Sequence, residues 1–262
     1  MAYKEKIYSL RRTIEHEFTY LGNYGAKGEK RQKKVKPTPE QIEKQNQRNK
    51  ERYVRRLILN NFDAGDCWVT LKYPKGTRFT DASLMKSDMR SFIRSMRNMY
   101  NKCGEEFRYI YRMEIGKQGA PHIHILMNHI RGKPMMKYIQ DAWKAGHINL
   151  TPYEGDNGAE LLAMYITKKP NRAAIEQLSF FPEDDKDKYM RYQSSRNLVK
   201  PEPEVKEYSR RTLKKLIVEG PAPSAGYVID KTSIECGTNP YTGKSYYRYR
   251  EIYIEGGGSG GS

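Results

Sequence analysis

The residues of this sequence best suited to chemistry are two histidines in the order His-Ile-His, His122 and His124. Alternate side chains of a β-strand point the same way, so both imidazoles are expected to project from one face. The residues on either side of Gln118 alternate as the two strands of a hairpin do. That register places Glu114 opposite His122 and Arg112 opposite His124, so two imidazoles and a carboxylate converge on one point.

This set of nitrogen and oxygen donors predicts a divalent metal site that suits Mn²⁺ or Mg²⁺, with open positions for phosphate oxygens. A structural zinc site more often has four ligands that include cysteine. Cys67, Cys103 and Cys236 lie far apart and form no CxxC pair, so zinc is not favoured. A histidine pair on a strand is also typical of an ordinary polar surface, and this alternative stays open.

A tyrosine and a lysine form the second group of reactive residues. Tyr165 and Lys168 are three residues apart in a predicted helix, so they share one face. A tyrosine can act as a covalent nucleophile, but its ordinary pKa of about 10 means that a nearby cation or metal must assist. The sequence has 21 tyrosines, and a lone tyrosine is more often a packing residue, so the choice of Tyr165 rests on its context.

The elements that must position these residues follow from the hydrophobic periodicity. One strand, a helix, two strands, a helix, a strand and a last helix are predicted over 67–73, 81–102, 107–115, 122–128, 134–145, 147–153 and 158–169. The order βαββαβ, followed by a helix, predicts an α+β fold with a ferredoxin-like antiparallel sheet and helices on one face. A methionine-rich stripe on the first of these helices is expected to lie in the core; it consists of Met85, Met89, Phe92, Met96 and Met99.

Extensions flank this predicted sheet. Thr38 followed by Pro39 is typical of a helix start, which predicts an N-terminal helix to about residue 60. At the other end, a basic helix is predicted over 204–219, followed by a β-hairpin over 227–254.

The charge of the chain indicates a polyanionic partner. Forty-eight Lys and Arg residues against 31 Asp and Glu give a net charge of +17, with an isoelectric point near 9.6. Nucleic acid is the partner that such an excess most often serves, although a basic protein without one is the plainer alternative. No apolar run could span a bilayer, and the first residues carry no apolar signal segment. We therefore expect a cytoplasmic protein with reduced cysteines and no membrane partner.

Three motifs occur in the order of a known superfamily: Cys67-Trp68-Val69-Thr70-Leu71, Pro121-His122-Ile123-His124-Ile125 and Tyr165-Ile166-Thr167-Lys168. Together they resemble the HUH endonucleases, and among these the single-tyrosine rolling-circle replication initiators (Rep) of bacterial plasmids and phages. The segments 60–66 and 192–198 are also similar to those proteins. In conjugative relaxases the tyrosine precedes the histidines, whereas here it follows them, as in Rep proteins and some transposases.

The resemblance implies a metal-dependent endonuclease and ligase of single-stranded DNA in a bacterial host. By it, Tyr165 attacks a phosphodiester at an origin hairpin, forms a 5′-phosphotyrosine link and releases a 3′-hydroxyl, and reversal rejoins the strand. His122, His124 and Glu114 would hold Mn²⁺ or Mg²⁺, and Lys168 would assist the tyrosine. No helicase segment is recognised in the sequence, so a separate helicase is an expected partner.

The domain prediction follows from these assignments. It consists of a basic N-terminal arm over 1–37, a nicking domain over 38–203, a basic helix and β-hairpin extension over 204–255, and an engineered Gly/Ser linker over 256–262. Basic side chains can hold DNA phosphates; those proposed for this role are Lys72, Arg108, Arg112, Lys169, Arg172, Arg191 and Arg196. Lys72 stands where the family usually has a second threonine. Two alternatives stay open, namely an HUH-type transposase and a non-catalytic protein that binds single-stranded nucleic acid.

Overall fold

The structure is a computed structural model, and it describes residues 3–20, 34–77, 82–116, 120–169, 191–208 and 214–254. The chain divides into two compact units. One unit is a continuous segment, Asn49–Val199, and the other is built from both ends of the chain, Met1–Arg48 with Lys200–Ser262. The predicted arm over 1–37 and the predicted extension over 204–255 therefore contribute to the same unit.

The continuous unit contains a five-stranded antiparallel sheet. Its strands are β3 (Cys67–Lys72), β4 (Tyr109–Ile115), β5 (Pro121–Met127), β6 (His147–Pro152) and the short β7 (Gln193–Ser194). They lie in the order β6-β3-β5-β4-β7. With helices after β3 and β5, the first four strands have the predicted βαββαβ arrangement, and the α+β class is confirmed.

Two helices cover one face of this sheet. Helix α2 (Ala82–Lys102) and helix α3 (Met135–Ala142) pack in one core with the strand residues that point towards them. Phe92, Met96 and Ile139 are completely buried in this core, as are the strand residues Ile123 and Ile125. Four residues of the methionine-rich stripe are buried and Met99 is partly buried against them, so the prediction that it forms core is confirmed.

Helix α4 (Asp156–Thr167) carries side chains to the opposite face of the sheet. Its residue Tyr165 lies within hydrogen-bond distance of His124, whose neighbours Ile123 and Ile125 point into the core beneath α2 and α3. Because alternate strand residues point to opposite faces, α4 reaches the face that the core helices leave uncovered. The predicted arrangement with helices on one face thus describes α2 and α3, and α4 meets the other face.

The predicted N-terminal helix is α1 (Pro39–Asn61). It begins at Pro39 after a reciprocal pair of bonds in which the Thr38 N–H donates to Gln41 Oε1 at 2.9 Å and the Gln41 N–H donates to Thr38 Oγ1 at 3.3 Å. These bonds satisfy N–H groups that have no partner within the helix, which fixes its start.

The other unit also contains a five-stranded sheet, with strands β1 (Tyr3–Ser9), β2 (Thr13–Tyr20), β8 (Glu204–Tyr208), β9 (Tyr227–Asn239) and β10 (Lys244–Tyr253). They lie in the order β8-β1-β2-β10-β9, and α5 (Lys214–Glu219) follows β8. The predicted hairpin of β9 and β10 is confirmed. Two strands lie within the predicted arm, at 3–9 and 13–20, and most of the rest of that arm lies outside the described residues.

The prediction of one helix over 204–219 is wrong for its first turns. Residues 204–208 pair with β1 as a strand, with Tyr208 opposite Tyr3 and Glu204 opposite Ile7. The Tyr208 ring stacks on Tyr3 at 4.7 Å, and its hydroxyl donates to Glu5 at 2.7 Å. Local hydrophobic periodicity carries no information about a pairing strand two hundred residues away. Here pairing with β1 decides that residues 204–208 form a strand.

The three cysteines are free. Among the described residues, no helix is long and apolar enough to cross a membrane.

Candidate active site

A β-hairpin presents three potential metal ligands to one point. Strands β4 and β5 pair with Glu114 opposite His122 and Arg112 opposite His124, which confirms the register predicted from the alternation of the two strands. Glu114 Oε2 lies 3.7 Å from His122 Nε2 and 3.8 Å from His124 Nε2. All three ligand atoms lie within 4.8 Å of one another, which is close enough for one ion to contact them together.

The second nitrogen of each imidazole has a partner that orients the ring. Thr70 Oγ1 lies 3.1 Å from His124 Nδ1, and the carbonyl of Ala120 lies 3.2 Å from His122 Nδ1. Such bonds at Nδ1 hold a metal-binding histidine with Nε2 directed at the ion. Two oriented imidazoles and one carboxylate therefore fit a divalent metal.

Tyr165 lies beside these three residues. Its hydroxyl oxygen is 2.7 Å from His124 Nε2 and 3.1 Å from Glu114 Oε2. The tyrosine is neither buried in the core nor placed on the core side of the sheet, because α4 brings it to the face that carries the imidazoles. Sequence reasoning selected this tyrosine among 21, and in the structure its hydroxyl contacts two of the three candidate metal ligands.

Lys168 completes the group, one helical turn after Tyr165. Its Nζ lies 2.5 Å from Glu114 Oε1 and 4.3 Å from the centre of the Tyr165 ring. The carboxylate thus contacts the ammonium with one oxygen and keeps the other, Oε2, facing the imidazoles. The pairing of Tyr165 and Lys168 on one helix face agrees with the predicted spacing.

The proximity of these groups shifts their pKa values in different directions. Burial alone would raise the pKa of Glu114, but the nearby His122 imidazole and the Lys168 ammonium outweigh it and lower the pKa to about 2. Burial, followed by the charge of His122, lowers the pKa of His124 to about 4. At neutral pH, therefore, Glu114 is charged and His124 is neutral, which are the forms that bind a metal.

Tyr165 is shifted away from ionisation. Burial, followed by the negative charge of Glu114, raises the pKa of this phenol well above its usual range. Without further positive charge near its oxygen, the tyrosine is therefore a weak nucleophile at neutral pH. A cation bound by the three ligands would counter the effect of Glu114 on the phenol.

Two residues of strand β3 belong to this site, although sequence reasoning assigned them no individual role. Thr70 pairs with His124 across the strands and supports its imidazole. The Trp68 ring stacks on the His124 ring at 5.5 Å and meets the Tyr165 ring edge-on at 6.0 Å. Their signal is the alternation of β3, which puts Trp68, Thr70 and Lys72 on one face, but it becomes informative only once β3 is known to lie beside β5.

Arg112 does not lie at a surface where it could hold DNA. Only 1% of the residue is exposed, and its Nη1 donates to the backbone carbonyls of Ile166, at 3.0 Å, and Lys168. The sequence-based interpretation of Arg112 as a phosphate contact is therefore replaced by a contact with the end of α4. The reason is tertiary: α4 lies over this face of the sheet and covers the guanidinium.

The other residues predicted to contact DNA fall into two groups. Lys72 is exposed and pairs with His122 across β3 and β5, and Lys169 is exposed directly after Lys168. Arg108 precedes β4, about 20 Å of strand from Glu114, and Arg196 follows the short strand that pairs with the start of β4. These two arginines are therefore not brought to the metal ligands.

Arg191 and Arg172 are the last two residues that the sequence suggests as DNA contacts. Arg191 is exposed just before β7. Arg172 lies outside the described residues.

The fold and site define an α+β domain with ferredoxin-like strand order, a candidate metal centre and an adjacent tyrosine. Residues 66–170 match a protein-family model, that of the replication-associated protein ORF2. The matched segment runs from the residue before β3 to just beyond α4 and contains the whole group described above. The match supports a role as a replication initiator acting on DNA and is consistent with rolling-circle initiation. No curated protein sequence matches the chain.

Proposed function

We propose that this protein is a metal-dependent, single-tyrosine endonuclease of the HUH type that nicks and rejoins single-stranded DNA to initiate rolling-circle replication. The observation that carries the proposal is the position of the Tyr165 hydroxyl, within 3.1 Å of both Glu114 Oε2 and His124 Nε2. A nucleophile next to a set of metal ligands is the arrangement that phosphoryl transfer requires.

The metal ligands in this proposal are His122, His124 and Glu114. Their mixed donors favour Mn²⁺ or Mg²⁺, and carboxylate charge together with neutral imidazole at pH 7 suits either ion. An ion held there would polarise the phosphate that is attacked, which is the chemistry that the ion supplies. Thr70 and the Ala120 carbonyl hold the two imidazoles for this role.

The chain's own residues perform the transfer. The Tyr165 oxygen forms a bond to the phosphorus and loses its proton, while the bond from phosphorus to the 3′ oxygen breaks and that oxygen takes up a proton. The products are a 5′-phosphotyrosine and a free 3′-hydroxyl. Attack of a 3′-hydroxyl on the phosphotyrosine reverses each bond change and rejoins the strand, so one tyrosine serves both steps.

Lys168 favours the phenolate in this scheme. Its ammonium lies over the Tyr165 ring and also neutralises part of the charge of Glu114, which otherwise opposes ionisation of the phenol. The exposed lysines Lys72 and Lys169 border the same face and would hold phosphates of the strand next to the cleaved bond. Arg191 offers a further contact. Unwinding of the origin would be done by a separate helicase, and a cytoplasmic location in a bacterial host stays a prediction.

The experiment is covalent capture. Wild-type protein and Tyr165→Phe are incubated with Mn²⁺ and 5′- or 3′-labelled single-stranded DNA that carries candidate origin hairpins, and then separated under denaturing conditions. With the wild type, we expect a denaturant-resistant adduct on the 3′-labelled fragment, and a chelator should abolish it. With Tyr165→Phe, we expect no adduct at equal DNA affinity. Tyr153→Phe, which alters a tyrosine just before α4, is the matched control and should form the adduct normally.

The outcomes separate the alternatives. An adduct with Tyr165→Phe would remove this residue from its role. Binding of DNA with no adduct for the wild type, across hairpin libraries and both metals, would favour a non-catalytic binding protein. Efficient cleavage at paired transposon ends but not at replication origins would favour an HUH-type transposase.

A further inference from the structure

We propose that Arg112 is a positioning residue that fixes Tyr165 and Lys168 over the metal ligands by tying the end of helix α4 to strand β4. The inference rests on the proposed function above, because it assigns a role in the tyrosine chemistry. The sequence suggests Arg112 as a DNA contact, and the inference gives it a structural role in the site instead.

The contact between Arg112 and α4 lies at the end of this helix, next to the two reactive residues. Arg112 Nη1 donates to the carbonyl of Ile166, which directly follows Tyr165, and to the carbonyl of Lys168 itself. The last carbonyls of a helix have no partner within it, and the negative end of the helix dipole attracts a cation. One guanidinium nitrogen therefore satisfies both needs where α4 ends.

The other end of the connection is the metal-binding hairpin. Arg112 lies two residues before Glu114 on β4, on the same face, and pairs with His124 across β4 and β5. A single side chain thus joins the strand that carries the ligands to the helix that carries the nucleophile. Movement of α4 relative to the hairpin would change the distance from the Tyr165 oxygen to Glu114 and His124.

Packing alone does not explain an arginine here. The residue is 1% exposed, and its Nε and Nη2 find no hydrogen-bond partner within the described part of the chain. A buried charge of this kind is costly, and an unbranched apolar side chain would fill the space without that cost. The bonds to the two carbonyls are what a methionine could not replace.

The test compares Arg112→Met, which keeps the length, with Arg112→Lys, which keeps a charge and a donor. Arg90→Met on α2 removes the same charge from an exposed position on the far side of the sheet and is the matched control. Single-turnover adduct formation is measured at saturating Mn²⁺, with DNA binding measured separately by fluorescence anisotropy in chelator. Misplacement of a nucleophile by about 1 Å can cost about a hundredfold in rate.

We expect the adduct rate to fall about tenfold to a hundredfold in Arg112→Met, with DNA affinity within about threefold of wild type, partial rescue in Arg112→Lys, and no change in Arg90→Met. Amide hydrogen exchange over residues 163–169 supplies a readout without activity and should be about tenfold faster in Arg112→Met. If the wild type forms no adduct, the proposed function fails, while the exchange result still tests the tie to α4.

Two results would overturn the inference. A folded Arg112→Met with wild-type adduct rate and wild-type exchange would show that the tie is dispensable. A loss of DNA affinity equal to the loss of rate would instead make Arg112 a DNA contact. Should Arg112→Met fail to fold, the rate and exchange of Arg112→Lys decide between these results.

Discussion

Replacement of Thr70 by valine tests whether the site is built to hold a metal. The substitution keeps the branched shape of the side chain and removes only the hydroxyl, which lies 3.1 Å from His124 Nδ1. His124 is mostly buried, so water does not readily replace the lost partner. The imidazole then loses its preferred tautomer and its orientation towards Glu114.

The expected size follows from the role of the bond. Loss of a partner to a ligating imidazole typically weakens metal binding about 10- to 100-fold, which corresponds to about 1.4 to 2.7 kcal/mol. The lower part of this range is expected because His122 keeps its own carbonyl partner and Glu114 keeps its ion pair with Lys168. We therefore predict a Mn²⁺ dissociation constant about tenfold higher for Thr70→Val.

Isothermal titration calorimetry with Mn²⁺ measures this change directly, without DNA and without activity. Thr151→Val is the matched control, because Thr151 lies on the adjacent strand β6, opposite Trp68, and its hydroxyl donates to the backbone carbonyl of Trp68 at 3.4 Å. Equal Mn²⁺ affinity in wild type and Thr70→Val would refute the reasoning that His124 is a ligand held by Thr70. Equal losses in both threonine variants would point to a general effect on the sheet.

Two predictions concern stability. Phe92→Ala, at a completely buried position of α2, should lower the free energy of unfolding by about 3 to 5 kcal/mol in chemical denaturation, whereas Leu84→Ala on the exposed side of the same helix should change it by less than about 1 kcal/mol; similar losses in both would contradict the placement of the core. Burial would raise the pKa of Glu5, but hydrogen bonds from His16 and Tyr208 and the charge of His16 outweigh it and lower the pKa below the usual 4.5. The ionised carboxylate therefore stabilises the fold above about pH 4.5, and this contribution is lost as the pH falls through the lowered folded-state pKa. The thermal midpoint of the wild type should fall more steeply below about pH 5 than that of Glu5→Gln, and parallel curves would show that this carboxylate does not contribute.

In the α+β unit of residues 49–199, much of the strand pairing and of the candidate site can be predicted from the sequence. Alternation of apolar residues along β4 and β5 fixes which side chains share a face, because a slip by one residue would place the charged side chains in the apolar core. The register of Glu114 with His122 therefore follows from local pattern alone. The Tyr165 and Lys168 pair follows equally from helix geometry, since residues three apart share a face.

Residues distant in the sequence decide the remainder. The local periodicity of the sequence does not indicate whether α4 lies on the face of the sheet that carries the imidazoles or on the face that forms the core. The chain connections decide this, and the observed position of α4 brings Tyr165 to His124. In this position α4 also covers Arg112, so a basic residue that the sequence suggests as a DNA contact instead bonds to the end of α4. Strand β8 likewise exists because the edge of β1 offers backbone partners to residues 204–208.

The sequence by itself determined the ligand types, their common strand face and the spacing of the tyrosine and lysine, because the periods of strands and helices are properties of the backbone. Only the tertiary structure decided that these two groups meet, that Thr70 and Trp68 support His124, and that Arg112 is buried. The physical reason is that packing and hydrogen bonding between distant segments select among arrangements that local propensities leave equal.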